Sequence, residues 1–218
     1  VYAQIVLFDK FDPLDVIAPF EVLVAGAQAL GGDLTVELVS AEGPREVVSG
    51  TQDLTLMATG TLDPAKPGYV VVPGASGPID GDPDDGVETI PVLLAQAAQT
   101  ALIPLMDKAF DNPEVTVATV CGGSIVLAMG RLIDNRYATT HYMGMDVLDA
   151  AGVNAVSARV VDDGDLISGG GVTSGLDLGL YLLERSYGPR IAHAVEKLFE
   201  YERRGTAWKP SGIEPREP

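Results

Sequence analysis

A chain of 218 residues with a formal net charge of −17 repels phosphate backbones and anionic lipid, which argues against nucleic acid and membrane partners. Its one cysteine excludes an internal disulfide, leaves too few ligands for a cysteine-built zinc site, and fits a reducing cytoplasm. Apolar residues make up 46% of the chain and aromatic residues only 6%, so the core must be aliphatic, and no apolar run is long enough to span a bilayer.

Ala3 to Phe8 reads as a first strand. Asp12-Pro13-Leu14-Asp15 is a turn that opens a helix to about Leu30, with Pro19 as its anomaly and Gly31-Gly32 as its stop. Leu34 to Val39 is a second strand. Val47 to Ser49 and Leu54 to Met57 read as a hairpin with Gly50 near its turn. Tyr69 to Val72 is an apolar strand that runs into Pro73-Gly74-Ala75.

The acidic segment Asp80 to Gly86 fails as a calcium loop of the EF-hand type, because Asp85 stands where glycine is needed and Pro91 where the bidentate Glu belongs. It reads as a solvated turn. Val87 to Phe110 is helical, broken around Pro91 and Pro104. Val115 to Val120 is a buried strand, followed at once by Cys121-Gly122-Gly123 and a helix to Met129. A helix follows over Tyr142 to Ala150, then strands Ala158 to Val161 and Leu166 to Ser168, a helix from about Ser174, and a last helix from about Ile191 to Arg203. The segment after Trp208 is rich in Pro and charge and reads as loose. Strands alternating with helices predict an α/β three-layer sandwich: a mostly parallel sheet with helices on both faces. No internal repeat or dividing linker is visible. The expected organisation is one domain over 1–205 and a tail over 206–218.

Chemistry concentrates at one turn. The strand ending at Val120 delivers Cys121 to the C-terminal edge of the sheet, where open α/β sheets bind ligands. Gly122-Gly123 permits a tight strand-to-helix turn. A cysteine held at a helix start is favoured as thiolate, and the Gly122 N–H faces a developing anion. The Val72-Pro73-Gly74-Ala75 strand end lies at the same edge, so the Ala75 N–H is a second candidate donor. Asp15 is a candidate acid near the first strand end, although either Asp15 or Asp12 suits a helix cap. Of the two histidines, His141 follows Thr139-Thr140 and can approach Cys121, in a structural or orienting role. Neither histidine has a Glu two residues on, which argues against glutamine-derived ammonia transfer.

Thr119-Val120-Cys121-Gly122-Gly123-Ser124 resembles the nucleophile elbow of the ThiJ/PfpI superfamily, and Val72-Pro73-Gly74 resembles its glycine loop. Ala138-Thr139-Thr140-His141 is similar to the segment after the elbow helix. Leu14-Asp15-Val16-Ile17-Ala18-Pro19 and Gly169 to Asp177 resemble the isonitrile hydratase branch. The resemblance covers roughly residues 1 to 205. One departure is Gly122, where that branch often carries Thr. The resemblance implies a flavodoxin-like fold, a homodimer, no metal or organic cofactor, and hydration of an isonitrile to an N-substituted formamide. Cys121 would be the nucleophile and Asp15 the general acid and then base, with Gly74, Ala75 and Gly122 positioning the reacting atoms. The alternatives are a glyoxalase or deglycase acting on 2-oxoaldehydes, with His141 as discriminator, and a non-enzymatic cysteine redox sensor or stress protein. A transcriptional regulator would need a basic helix-turn-helix extension, and the strongly acidic character of the chain argues against that reading.

Overall fold

The computed structural model describes residues 1–214 and 216. In chain order, β1 (Tyr2–Val6) leads to α1 (Pro13–Ala29), β2 (Thr35–Ser40), a hairpin of β3 (Arg45–Val48) and β4 (Thr55–Ala58), β5 (Gly60–Thr61) and β6 (Gly68–Val72). Next come α2 (Ile90–Ala97), α3 (Leu102–Phe110), β7 (Val115–Val120), α4 (Gly123–Met129), β8 (Tyr137–Ala138), α5 (Met145–Ala150) and β9 (Asn154–Ala155). The hairpin β10 (Val160–Asp163) and β11 (Leu166–Gly169) precedes α6 (Ser174–Tyr187) and α7 (Pro189–Phe199).

The central sheet has seven strands in the order β10-β11-β7-β6-β1-β2-β5, parallel except for the β10–β11 pair. Its inner strands are rich in Val, Ile and Ala, as burial on both faces requires. Helices α1, α6 and α7 pack as one group and α2, α4 and α5 as another. This is the three-layer α/β sandwich expected. From β1 the chain moves to β2 on one side and later to β6 and β7 on the other. The reversal opens a crevice at the C-terminal ends of β1 and β6, the place where such sheets bind ligands.

The prolines behave differently from the expectation of broken helices. Pro91 lies in the first turn of α2 and Pro104 in that of α3, where a missing N–H costs nothing. The break falls between them, at residues 98–101. Pro19 does sit inside α1, and α6 accommodates it. A Cβ at Gly175 would lie 2.8 Å from Pro19 Cδ, and one at Gly179 would lie 2.8 Å from Val22 Cγ1. Two glycines one turn apart thus let α6 close onto the proline ridge of α1. Gly50 serves a close approach as well as the hairpin, since a Cβ there would meet the Ser76 carbonyl oxygen at 1.5 Å.

The last helix ends earlier than expected, at Phe199, where Glu200 turns left-handed with φ 49°. The expected helix at Tyr142 starts as a 3-10 turn over Tyr142–Gly144 before α5. Trp208 is tied down: its N–H donates to the Val160 carbonyl at 2.8 Å, its carbonyl accepts from Asp162 at 2.8 Å, and its ring packs on Tyr137. Lys209 pairs with Asp162 at 3.1 Å. The end of the tail, at 215, 217 and 218, lies outside the described residues. Among the described residues no single helix is long and apolar enough to cross a membrane.

Candidate active site

Cys121 stands at the turn between β7 and α4 with φ 54°, a left-handed conformation that a non-glycine residue adopts only under constraint. Three contacts supply the constraint. The Cys121 N–H donates to the Gly169 carbonyl at 3.0 Å. The Thr140 hydroxyl donates to the Cys121 carbonyl at 2.6 Å. Gly123 is pressed against β6, where a Cβ would meet the Val72 oxygen at 2.1 Å. The strain turns the side chain out of the strand and into the crevice, the geometry of a nucleophile elbow.

The segment Thr139-Thr140-His141 is clipped to this turn. Ser124 Oγ shares a hydrogen bond with Thr119 Oγ1 at 2.6 Å and donates to the Thr139 carbonyl at 2.7 Å, and the Thr139 N–H donates to Ser168 Oγ at 2.8 Å.

Strands β6 and β7 are neighbours in register, Val72 beside Thr119, so their end loops meet. A Cβ at Gly74 would lie 2.6 Å from the Gly122 nitrogen and 2.9 Å from Asp15 Oδ2. Only glycine fits there. The Gly74 N–H donates to Asp15 Oδ2 at 2.9 Å. Ala75 bridges Phe11, but the bonds of that bridge come from Asp12 to the Gly74 carbonyl and from Ser76 to the Lys10 carbonyl. Ala75 therefore belongs to a non-hydrogen-bonded pair, and its own N–H is directed away from the Phe11 strand.

The question of the helix cap is settled by α1 itself. Asp12 is the cap: its Oδ1 accepts the Leu14 N–H at 2.9 Å. Asp15 lies in the first turn, 0% exposed, and its Oδ1 has no hydrogen-bond partner among the described residues. Burial first, then the negative charge of Asp12, hold the Asp15 carboxyl well above the usual carboxylate range, although the Gly74 N–H and Cys121 pull it down.

The expectation of a resting thiolate does not hold. Burial, and after it the charge of Asp15, push the Cys121 thiol above its ordinary value, while the Gly122 N–H pulls it down and loses. Two physical facts lie behind this. Helix α4 has only seven residues, which limits the field at its start. The thiol is also 9% exposed, so it has little water to stabilise a charge. The Asp15 charge thus disfavours the Cys121 thiolate, whereas the thiol favours the Asp15 carboxylate, and the two form a coupled pair without a fully formed hydrogen bond between Oδ1 and the sulfur.

Cys121 opens into a cavity of about 380 Å³ whose walls include Ile90, Leu94, Ile125, Met129, Val147 and Val172, and Asp15 lies buried behind that wall. Cys121, Gly122, Ala75, Thr140 and His141 line it as well. Among the described residues no lysine or arginine does. His141 reaches the cavity, but its Nδ1 accepts the Met143 N–H at 3.3 Å, which leaves its other nitrogen to carry the proton. A Cβ at Gly122 would meet both Leu94 methyls at 3.0 Å, so Leu94 fills the space that a side chain beside the nucleophile would take. Sequence reasoning named Cys121, Asp15, Gly74, Ala75, Gly122 and His141; the structure lines the cavity with Cys121, Ala75, Gly122 and His141 and places Asp15 and Gly74 behind its wall. It did not single out Thr140 or Leu94 for a role at the site, and it gave Asp12 only a capping role. His193 lies far out on α7 beside Glu196. Among the described residues no three His, Cys, Asp or Glu side chains are grouped to hold a metal ion.

Fold and elbow together define an α/β protein of the cysteine-elbow class. Residues 94–185 match the DJ-1/PfpI family. The chain is 32% identical to isonitrile hydratase from Pseudomonas putida over 196 residues, 89% of this chain and 76% of that protein. It is 28% identical to the HTH-type transcriptional regulator CdhR of Pseudomonas aeruginosa over 164 residues, 74% of this chain but only 44% of the regulator. Drosophila melanogaster DJ-1beta has the same fold, with a TM-score of 0.74 at 18% identity, covering 92% of this chain and 98% of that one. The chain belongs to the DJ-1/PfpI family.

Proposed function

We propose that the protein hydrates an isonitrile to an N-substituted formamide, with Cys121 as nucleophile and Asp15 as the acid–base group. The observation that carries this reading is a strained cysteine facing an apolar cavity and backed by a partner-poor buried aspartate. The 32% identity to an isonitrile hydratase supports the reaction class.

The chemistry begins with one proton held by the Cys121–Asp15 pair. The sulfur attacks the terminal carbon of the isonitrile, and Asp15 takes the thiol proton and hands it to that carbon. The product is a thioimidate, R–N=CH–S–Cys121. Asp15 then draws a proton from water as the hydroxyl adds to the same carbon. The nitrogen is protonated, the C–S bond breaks, and the formamide leaves with the thiol restored. The atoms sum to one isonitrile plus one water. The N–H groups of Ala75 and Gly122 fix the reacting atoms. An apolar cavity suits an uncharged substrate, and burial keeps the pair from giving up its shared proton to water. The reading includes a homodimer, as the resemblance implies.

The rival reading is isomerisation of a 2-oxoaldehyde, favoured by His141 lining the same cavity. A paired assay separates them. Purified protein is given an aryl isonitrile and, separately, methylglyoxal. Formamide formation without methylglyoxal loss is the expected result. Methylglyoxal turnover that collapses in His141→Gln, with the isonitrile untouched, would overturn the proposal.

A further inference from the structure

Among the described residues the cavity wall carries one carboxylate, and no lysine or arginine side chain on that wall faces it. Asp12 lines the wall that holds Cys121. Its position is fixed from two sides: its N–H donates to the Gly74 carbonyl at 2.9 Å, and its Oδ1 accepts from Leu14 at 2.9 Å. Among the described residues no other aspartate or glutamate lines the cavity, and neither does any lysine or arginine. The cations nearest in the chain are engaged elsewhere. Lys10 faces Asp53, and Arg45 faces Asp9 and Glu42. His141, the remaining titratable wall residue, spends Nδ1 on the Met143 N–H.

We propose that Asp12 is a charge filter: a specificity-determining residue that turns anionic electrophiles away from Cys121 and admits neutral ones with an apolar substituent. On the hydratase reading, on which this form of the inference rests, the substrate class narrows to uncharged, apolar isonitriles. An anion entering the cavity leaves water, meets the Asp12 carboxylate, and finds no cation to compensate. Like charges brought together where the effective dielectric constant is about 20 discriminate by roughly 10- to 100-fold. A neutral ester of the same size meets none of this.

The test uses two pairs of probes that differ only in charge. The first pair is iodoacetamide and iodoacetate, whose alkylation of Cys121 needs no turnover. The second is methyl isocyanoacetate and the isocyanoacetate anion, compared by kcat/KM. Both are measured on the parent and on Asp12→Asn, which keeps a capping side chain at the start of α1. Asp12→Ser, another capping residue, guards against a folding defect in the first variant. The readout is the neutral-to-anionic ratio, since the charge of Asp12 also bears on Asp15 and Cys121. Both ratios should fall about tenfold or more in the variants. A ratio unchanged by either substitution overturns the filter. If neither isonitrile is consumed while the alkylation ratio still falls, the filter stands and the hydratase reading fails.

Discussion

Two buried aspartates, Asp15 in α1 and Asp177 in α6, show opposite ways of keeping a carboxyl out of water. Asp177 is 2% exposed and fully partnered. Arg159 Nε donates to it at 2.7 Å, the Tyr201 hydroxyl at 2.8 Å and the Arg204 N–H at 2.7 Å. That network ties α6 to the strand hairpin and to the segment after α7. Asp15 is equally buried, yet among the described residues it receives one N–H and pairs with no cation, and one of its oxygens is left without a partner. A carboxyl that only holds a fold is given donors for both oxygens. On the proposed mechanism Asp15 must exchange a proton, and it is left short of donors beside the thiol.

The sharpest way to break this contrast is to neutralise each aspartate. Asp15→Asn keeps the shape and the Gly74 bond but cannot move a proton. It should lower isonitrile kcat/KM by about 10²–10⁴-fold, with no fall in Tm near neutral pH. Near-parent turnover would reduce Asp15 to a structural residue. Asp177→Asn should do the reverse. Removing the charge opposite Arg159, whose side chain is 23% exposed, should cost about 2–3 kcal/mol, or about 5–10 °C in Tm. The kcat/KM of the folded fraction should stay within about threefold. A large activity loss at unchanged Tm would erase the distinction between the two sites.

A smaller effect is expected at the elbow. Thr140→Val deletes the hydroxyl that holds the Cys121 carbonyl. A loss of about tenfold in kcat is expected, with KM little changed, and Thr140→Ser should restore it. Failure of the serine rescue would remove that bond from the account.

The pH dependence of stability sharpens the comparison further. Asp15 and Cys121 both bind their protons more tightly in the folded protein than in the unfolded chain. Each therefore stabilises fully below its unfolded value, and that contribution is lost as pH rises toward the folded value. For Cys121 the loss begins near the free-thiol value of about 8.5, at no more than about 1.4 kcal/mol per pH unit. Alkaline thermal melts of parent and Cys121→Ala should diverge above that pH, with the parent falling faster. Parallel curves would contradict a raised thiol.

Much of this site was legible in the sequence because its demands are local. A strand, a cysteine and two glycines in a row describe a turn whose sterics hardly depend on the rest of the chain. Cys121, Gly122 and the Val72-Pro73-Gly74 end could be read that way. Asp15 was not separable from Asp12 by local reasoning, since either suits a helix start; the fold decides by giving Leu14 to Asp12. The thiol was misread for a related reason. A helix start is visible in sequence, but burial and the approach of Asp15 from a different strand end are not. The Asp177 network joins residues 18 to 27 positions apart, so no motif announces it. Strands β5, β8 and β9 have two residues each and exist only by pairing with neighbours.

The most direct measurement is rapid-quench mass spectrometry of the protein mixed with excess aryl isonitrile. The account expects a transient adduct on Cys121, heavier than the free protein by one substrate, that decays as formamide appears. Cys121→Ser should form no such adduct and little formamide. Formamide produced by Cys121→Ser at the parent rate, or no adduct and no formamide from the parent, would contradict the account.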